Sequence, residues 1–358
     1  MSVPGSWKYL SSRQVIQNLF PGYFALVMAT GIIGIAAHQL EYLIISTGLI
    51  LFNFLAYVIL WILFILRIYR YSDVFWKDLT DHNRGPGFFT LIAATNVIGS
   101  QLIIQYKVYS AAWYLWIFSF ILWFVITYLF FTAITIKRNH PGIQKGLNGS
   151  WLITIVATQS VALLGTLLIR EQSPASSDMF LFSMICFFLI GCMLYLVIIT
   201  LIIYRFAFYP LKPQDISAPY WIGMGAVAIS TLTGTEIINL LHDSIFSDMD
   251  SFIKGFTLFF WSFGTWWIPL LLILGVWRHM IHKIPFPWSV RGYHPSYWAM
   301  VFPLGMYTVC TYSLANTIEA EFLKSISSIF IFFAFAAWIA TLSGLVHKVV
   351  VSIFQSKK

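Results

Sequence analysis

The sequence predicts an all-α polytopic membrane protein. With 59% hydrophobic and 9% charged residues, the chain differs from soluble domains, in which about 25% of residues are charged. Apolar runs of about 20 residues, each long enough to cross a hydrocarbon core of about 30 Å, recur along the chain. These runs are expected to be helices, because lipid offers backbone groups no partners and the alternating segments typical of membrane barrels are absent.

Ten apolar runs predict ten transmembrane helices. They cover residues 20–40, 42–66, 88–106, 110–136, 151–169, 179–204, 220–241, 252–277, 296–316 and 324–347. With the N-terminus inside, 17 Lys and Arg residues fall on the cytoplasmic side and four on the other. The positive-inside rule therefore predicts that both termini lie in the cytoplasm, and we expect a multi-pass protein of the plasma membrane. Topology explains the net charge of +8 better than nucleic-acid binding does, because the basic residues lie in short loops.

The whole chain, 1–358, is expected to be a single transmembrane domain. It comprises a cytoplasmic or interfacial segment over 1–19, a ten-helix pore domain over 20–347 and a cytoplasmic tail over 348–358. The odd-numbered spans begin near residues 20, 88, 151, 220 and 296. A helical hairpin therefore repeats five times, as expected of a domain built by duplication.

The two helices of each hairpin differ in composition. Odd spans are rich in Gly, Ser, Thr, Asn and Gln, whereas even spans carry bulky aromatic residues. Small and polar residues favour the interior of a membrane bundle, and aromatic and aliphatic residues can face acyl chains. The expected architecture is an inner ring of five odd helices around a central pore and an outer ring of five even helices. The alternative is that the small residues serve tight helix packing without any lumen.

Small and polar residues recur at matching places in the odd spans. The candidate pore-lining residues are Thr30, Gly31, Thr95, Asn96, Thr158, Gln159, Ser230 and Thr231. The ninth span instead carries Phe302-Pro303 just before Gly305. Pro303 leaves the carbonyl of Ala299 without its helical donor, which predicts a kink near the middle of the span. No Lys or Arg lies inside an odd span, and this favours fast, weakly selective permeation.

Four segments carry a family resemblance. They are Phe20 to Phe24 and on to Gly31, Gly85 to Phe89, Gly149 to Leu152 and on to Ser160, and Tyr297 to Gly305. They resemble the tellurite-resistance/dicarboxylate transporter family, which includes the bacterial TehA proteins, fungal malate permeases and the slow-type anion channels of plant guard cells. The resemblance implies five hairpins around a pore, a homotrimer with one pore per protomer, and a pore plugged by Phe302. Tellurite resistance is expected only as a secondary phenotype.

The leading hypothesis is a gated anion channel or channel-like exporter for small inorganic or organic anions. Glu236 is the one carboxylate well within an odd span, where it either couples a proton or faces a solvated outer vestibule. A proton-coupled transporter of C4-dicarboxylates such as malate or succinate is the alternative, and a non-transporting scaffold or sensor is a third class. Histidines at span ends and cysteines without ligand spacing indicate no catalytic residues, no metal and no cofactor.

Overall fold

The computed structural model describes residues 12–169, 174–286, 288 and 292–356. Residues 1–11 of the predicted N-terminal segment and 357–358 of the predicted tail lie outside the described residues. The described chain is helical and contains no strand. Its ten long helices are α1 Ala25–Gln39, α2 Leu43–Arg70, α3 Phe89–Tyr106, α4 Tyr109–Ile136, α5 Ile153–Ile169, α6 Pro174–Phe208, α7 Ile222–Leu241, α8 Asp250–Val276, α9 Trp298–Thr317 and α10 Phe322–Ser356.

Nine helices of the described chain are long and apolar enough to cross a membrane, and α9 is not among them. Pro303, Gly305 and several Tyr and Thr residues lower the apolar character of α9. The predicted all-α, multi-pass membrane class is confirmed. A tenth span at α9 stays a prediction.

The odd helices are inside the bundle and the even helices are outside. In the spans that contain α1, α3, α5 and α7, buried residues make up 89%, 89%, 100% and 83% of the most apolar window. The corresponding values for the even helices are 33%, 28%, 44%, 22% and 22%. Of the 20 residues of α9, 15 are buried. The exposed side chains of the even helices are largely aliphatic and aromatic, as expected of a surface that contacts acyl chains.

The odd helices contact one another in a closed order. Helix α1 packs against α3 and α9, α3 against α5, α5 against α7, and α7 against α9, while each even helix packs against its hairpin partner. Glycines permit this close approach. A Cβ on Gly31 would lie 2.3 Å from Val97 Cγ1, and one on Gly225 would lie 2.7 Å from Pro303 Cγ.

Each odd helix is preceded by a short 3-10 turn. The five turns are Pro21–Phe24, Gly85–Phe88, Gly149–Leu152, Ala218–Trp221 and Pro295–Tyr297. Each turn contacts the next, and the last contacts the first. We call these five turns the collar. All five odd helices therefore begin at the collar end of the bundle and run parallel to one another.

Candidate functional site

Threonines of the repeated small-polar segments bond to aromatic side chains of the preceding hairpin. Three such hydrogen bonds join Trp338 Nε1 to Thr30 Oγ1 at 3.0 Å, Tyr57 Oη to Thr95 Oγ1 at 2.9 Å, and Trp123 Nε1 to Thr158 Oγ1 at 2.9 Å. Each threonine lies on an odd helix, and each aromatic residue lies on the even helix of the hairpin before it. The bond from α10 to α1 connects the last hairpin to the first.

The remaining two odd helices make equivalent bonds. Trp261 on α8 donates its Nε1–H to Thr311 Oγ1 on α9 at 3.0 Å. Tyr195 on α6 donates its hydroxyl to the carbonyl of Gly223 on α7 at 2.9 Å. We call the set of five the inter-hairpin bonds. Every odd helix is thus tied to the neighbouring hairpin by at least one polar contact.

The other predicted pore-lining residues also bond at helix interfaces or within their own helix. Asn96 Nδ2 donates to Ser160 Oγ on α5 at 2.9 Å, and Gln159 Nε2 donates to the carbonyl of Phe188 on α6 at 3.0 Å. The hydroxyls of Ser230 and Thr231 donate to carbonyls four residues earlier, a bond common in apolar helices.

These contacts favour the packing explanation for the threonines and Gln159, and Gly31 likewise lies where α1 meets α2 and α3. A pore-lining role for the eight residues stays a prediction. Sequence reasoning had no means of choosing between the two explanations, because a hydroxyl suits a helix interface and a lumen equally well.

Phe302 lies on the face of α9 opposite the outer helix α8. At about 100° per residue, Thr311 is about 180° around the helix from Phe302, and Thr311 bonds to α8. Pro303 touches α7, and a Cβ on Gly305 would lie 2.9 Å from Ile33 Cγ1 on α1. Around α9, Phe302 lies between the side that contacts α7 and the side that contacts α1, and it is 1% exposed. Its ring is therefore on the side of α9 that faces away from the outer helices.

Pro303 is the sixth of the 20 residues of α9, because residues Pro295–Tyr297 form a collar turn and the α-helix begins at Trp298. Phe302 is consequently close to the collar. The kink expected at this proline stays a prediction.

Glu236 lies on the face of α7 opposite the outer helix α8, as Phe302 does on α9. It lies two positions after Gly234, or about 200° around the helix, and Gly234 faces Thr257 of α8. Eleven residues separate Glu236 from Gly225, which contacts Pro303. At 1.5 Å per residue, Glu236 is about 16 Å beyond the level of Pro303, away from the collar. Met306 and Val309 on α9 and Ile229 and Leu232 on α7 share these two faces and are apolar and buried, and the polar Ser313 of α9 lies on the same face near the level of Glu236.

A basic residue near the end of every even helix holds the connection that precedes the odd helix of the same hairpin. The five donors and their carbonyl acceptors are Arg67 to Gln17, Lys137 to Thr80, Arg205 to Leu147, Arg278 to Ile216 and Lys348 to Tyr293. We call these contacts the basic clamps. Sequence reasoning missed them and assigned the same residues to topology alone. The recurrence of Lys or Arg at each even-span end was the available signal.

The clamp of the first hairpin includes a buried ion pair. Arg67 is 0% exposed and pairs with Asp78. The second carboxylate oxygen of Asp78 lies 2.7 Å from Arg84 Nε, and the Arg84 guanidinium lies 5.6 Å from the centre of the Phe20 ring. One carboxylate thus compensates two cations beside the collar.

His294 begins the collar turn of the last hairpin. Its Nδ1 accepts a hydrogen bond from the backbone N–H of Ser296 at 3.1 Å, which requires the neutral ring. Desolvation, followed by the positive charges of Lys348 and Arg84, lowers the pKa of His294 to about 4. The imidazole is therefore neutral at pH 7 and acts as a cap.

In the described part of the chain, no group of three His, Cys, Asp or Glu side chains is placed to hold a metal ion. Cys192 and Cys310 are buried, unbridged thiols.

Residues 18–346 match the SLAC1 family, described as voltage-dependent anion channel. The chain belongs to this family. The resemblance inferred from the sequence motifs is confirmed, and the family is one of channels and transporters, not of enzymes.

Several characterised and uncharacterised relatives are similar over much of their length. An uncharacterized transporter of Methanocaldococcus jannaschii is 25% identical over 346 residues, covering 94% of this chain and 96% of the relative. A sulfite efflux pump of Arthroderma benhamiae is 23% identical over 359 residues, covering 93% and 91%. An uncharacterized membrane protein of Mycobacterium tuberculosis is 33% identical over 163 residues, covering 46% of this chain and 80% of the relative.

Proposed function

We propose that the chain is a gated anion channel or channel-like anion exporter whose pore follows the axis of the five odd helices. The closed order of contacts among these buried helices carries the proposal, because five parallel helices packed in a cycle surround a common axis. Membership of an anion-channel family supplies the class of substrate. The proposal includes ten spans, with α9 as one of the five inner helices.

In this proposal Phe302 is the gate. Its ring lies on the face of α9 directed away from α8, and its neighbours on that face are apolar. An aromatic ring in a narrow apolar lumen excludes hydrated ions and favours dewetting. The apolar faces of the odd helices border the proposed lumen. The eight predicted pore-lining residues, from Thr30 to Thr231, lie on four of these five helices.

Two features support anions over cations. The N-termini of all five odd helices meet at the collar, and each contributes the equivalent of about half a positive charge. The clamps of Lys137, Arg205 and Lys348 add fixed positive charge at the same end, which raises the local anion concentration. The proposal identifies the collar end with the cytoplasm of the plasma membrane, because the positive-inside rule favours that side. A homotrimer rests on the family resemblance alone.

Replacement of Phe302 by Ala tests the gate. We expect anion current in planar bilayers to rise in Phe302→Ala, with chloride, nitrate and sulfite as test ions. Sulfite is included because one relative is named a sulfite efflux pump. Phe188→Ala is the matched control, since Phe188 is equally buried but lies on the outer helix α6. Equal currents in the wild type and both variants would refute the gate.

The alternative function is proton-coupled transport of C4-dicarboxylates. The position of Glu236 on the face of α7 opposite α8 favours it, because an ionisable group on a permeation path can carry a proton. This alternative predicts saturable malate or succinate uptake driven by a pH gradient in liposomes. It also predicts that Glu236→Gln abolishes the dependence on the gradient. Anion currents unaffected by Glu236→Gln favour the channel.

A further inference from the structure

The exposed apolar face of α8 continues past the end of the helix. Its exposed residues near the collar are Leu272, Ile273, Val276, Met280 and Ile281. Met280 and Ile281 belong to the π-helical turn Trp277–Ile281 and are 68% and 65% exposed. Both share a face with Val276, because the bonds of a π-helical turn run from residue i to residue i+5. One apolar surface therefore runs from the lipid-facing part of α8 into the turn.

The length of α8 places this turn at the membrane boundary. The 27 residues of α8 span about 40 Å at 1.5 Å per residue, whereas the hydrocarbon core is about 30 Å thick. A helix centred in the core therefore extends about 5 Å beyond it at each end, and the turn that follows lies at the level of the headgroups. Apolar side chains exposed at that level contact the boundary between headgroups and acyl chains.

Hydrogen bonds hold the turn in one orientation. The guanidinium of Arg278 donates to the carbonyl of Ile216, which precedes the collar turn of α7. His279 Nδ1 donates to the carbonyl of Ile284 at 2.8 Å, and the backbone N–H of Ile284 donates to the carbonyl of Arg278 at 3.3 Å. The polar side chains of the turn thus bond to the bundle and to the following loop, and Met280 and Ile281 are left on the outer side.

Three aromatic rings form a column beside the turn. The rings of His279 and Phe286 stack with their centres 4.6 Å apart, and those of Phe286 and Trp288 stack at 4.4 Å. The chain reverses at Lys283, whose φ is 52°, and this reversal returns Phe286 to the His279 ring. Trp288, at the end of the column, is 51% exposed. Indole rings concentrate at membrane–water interfaces because they combine an apolar body with a polar N–H.

Positive charge accompanies these apolar groups. Lys283 is exposed at the chain reversal, and Arg278 lies five residues before it. No Asp or Glu occurs between Asp250 and Glu319 in the sequence, so the formal charge of this part of the chain is entirely positive. Anionic lipids attract basic segments at the membrane surface. Exposed apolar side chains combined with basic residues are the pattern of a segment that lies in an anionic interface.

We propose that residues 277–286 and 288, the interface segment, bind anionic phospholipids of the leaflet on the collar side. Met280, Ile281 and Trp288 lie at the boundary between headgroups and acyl chains, and Lys283 contacts the lipid phosphate. The occupant is lipid because the segment continues the lipid-facing surface of α8. Its binding fixes the end of α8 beside the collar. The interaction requires that α8 spans the membrane and does not depend on anion permeation.

Thermal stability of the detergent-purified full chain measures the lipid selectivity. Phosphatidylglycerol should raise the melting temperature more than phosphatidylcholine does, as ligand linkage requires. In Lys283→Gln the apparent affinity for phosphatidylglycerol should fall about fivefold, because one basic residue near an anionic surface strengthens binding by about that factor. Lys254→Gln is the matched control, since Lys254 lies near the opposite end of α8 and pairs with Asp250. Its affinity for phosphatidylglycerol should equal that of the wild type.

A fluorescent label measures the depth of the turn independently of charge. Bimane attached to Met280→Cys in phosphatidylglycerol nanodiscs should be quenched by lipids brominated in the upper acyl chain. Gln214→Cys is the matched control, because Gln214 is exposed in the polar connection between α6 and α7 and its label should be quenched less. Wild-type protein treated with the same reagent gives the background from the three native cysteines.

Three results would overturn the inference. The first is equal stabilisation by the two phospholipids in the wild type and in Lys283→Gln. The second is a label at Met280→Cys that stays unquenched, either in water or cross-linked to a second copy of the chain. The third is stabilisation by inorganic phosphate equal to that by phosphatidylglycerol, which would show that a free anion suffices.

These readouts are separate from the currents measured with Phe302→Ala. A protein that conducts anions but shows no preference for phosphatidylglycerol refutes the lipid surface and leaves the channel intact. A protein that binds phosphatidylglycerol through Lys283 but passes no anion refutes the channel and supports the lipid surface.

Discussion

The inter-hairpin bond between Trp123 and Thr158 should contribute measurably to the stability of the bundle. Trp123 is 8% and Thr158 is 1% exposed, and their polar atoms are 2.9 Å apart. The indole N–H has no water to replace its partner at this depth. Replacing Thr158 by Val leaves that donor unsatisfied, and replacing Trp123 by Phe removes it.

The magnitude follows from the environment of the bond. An unsatisfied buried donor costs about 1–3 kcal/mol, which sets the expected loss in Thr158→Val. The same hydroxyl also donates to the carbonyl of Thr154, but that carbonyl keeps its helical bond. Side-chain hydrogen bonds in membrane bundles average about 0.6 kcal/mol and reach about 1.7 kcal/mol in double-mutant cycles. We expect the coupling between Trp123→Phe and Thr158→Val to lie in that range.

Equilibrium unfolding in mixed micelles, followed by circular dichroism, measures the free energies of the four proteins in the cycle. Thr154→Val combined with Trp123→Phe is the control pair, because the Thr154 hydroxyl bonds to the carbonyl of Trp151 and not to the indole. Distant or uncoupled substitutions add to within about 0.5 kcal/mol. If the coupling of Trp123 to Thr158 equals that of the control pair, the bond has no energetic role and the reasoning is wrong.

Three further outcomes are expected. Gly31→Ala should lower the melting temperature, because its Cβ would lie 2.3 Å from a neighbouring methyl, whereas Gly48→Ala has open space and should raise it; shifts of the same sign would contradict the packing. Asp78→Asn should cost about 3–5 kcal/mol in unfolding free energy by leaving buried Arg67 without its counter-charge, and a loss below about 1 kcal/mol would contradict the ion pair. The pKa of His294 is lowered in the folded protein, so the stabilising contribution of its neutral ring should be present above about pH 6.5 and lost as the pH falls towards about 4. In His294→Asn, whose side chain can still cap the turn, the melting temperature should fall less over that pH range than in the wild type.

The positions of the helices could be predicted closely because apolar length and flanking charge both mark their ends. The sequence predicts α3 over 88–106, and the helix is Phe89–Tyr106; it predicts α4 over 110–136, and the helix is Tyr109–Ile136. Helix α10 extends well beyond its expected span of 324–347, to Ser356. Long basic side chains such as Lys348 allow an apolar helix to continue past the membrane boundary.

The directions of the side chains could not be predicted. In α3, 14 of 18 residues are buried, so this helix has no contrast between a polar and an apolar face from which its rotation could be inferred. Thr95 and Asn96 are adjacent in sequence but point to different neighbours, Tyr57 on α2 and Ser160 on α5. The clamps were missed for a related reason, since their acceptors are backbone carbonyls and every residue has one.

The outward direction of the polar groups bears on how the proposed pore would work. Because the hydroxyls of Thr30, Thr95 and Thr158 are engaged with the outer helices, the inner faces are left to side chains such as Phe302 and Ile229. A narrow apolar passage tends to dewet. Displacement of the Phe302 ring alone must therefore widen the passage enough for water to fill it. Anion preference would then arise at the collar, where five helix N-termini converge, and not from charged groups along the lumen. A gate close to the collar is therefore where this attraction acts most strongly on the permeating ion.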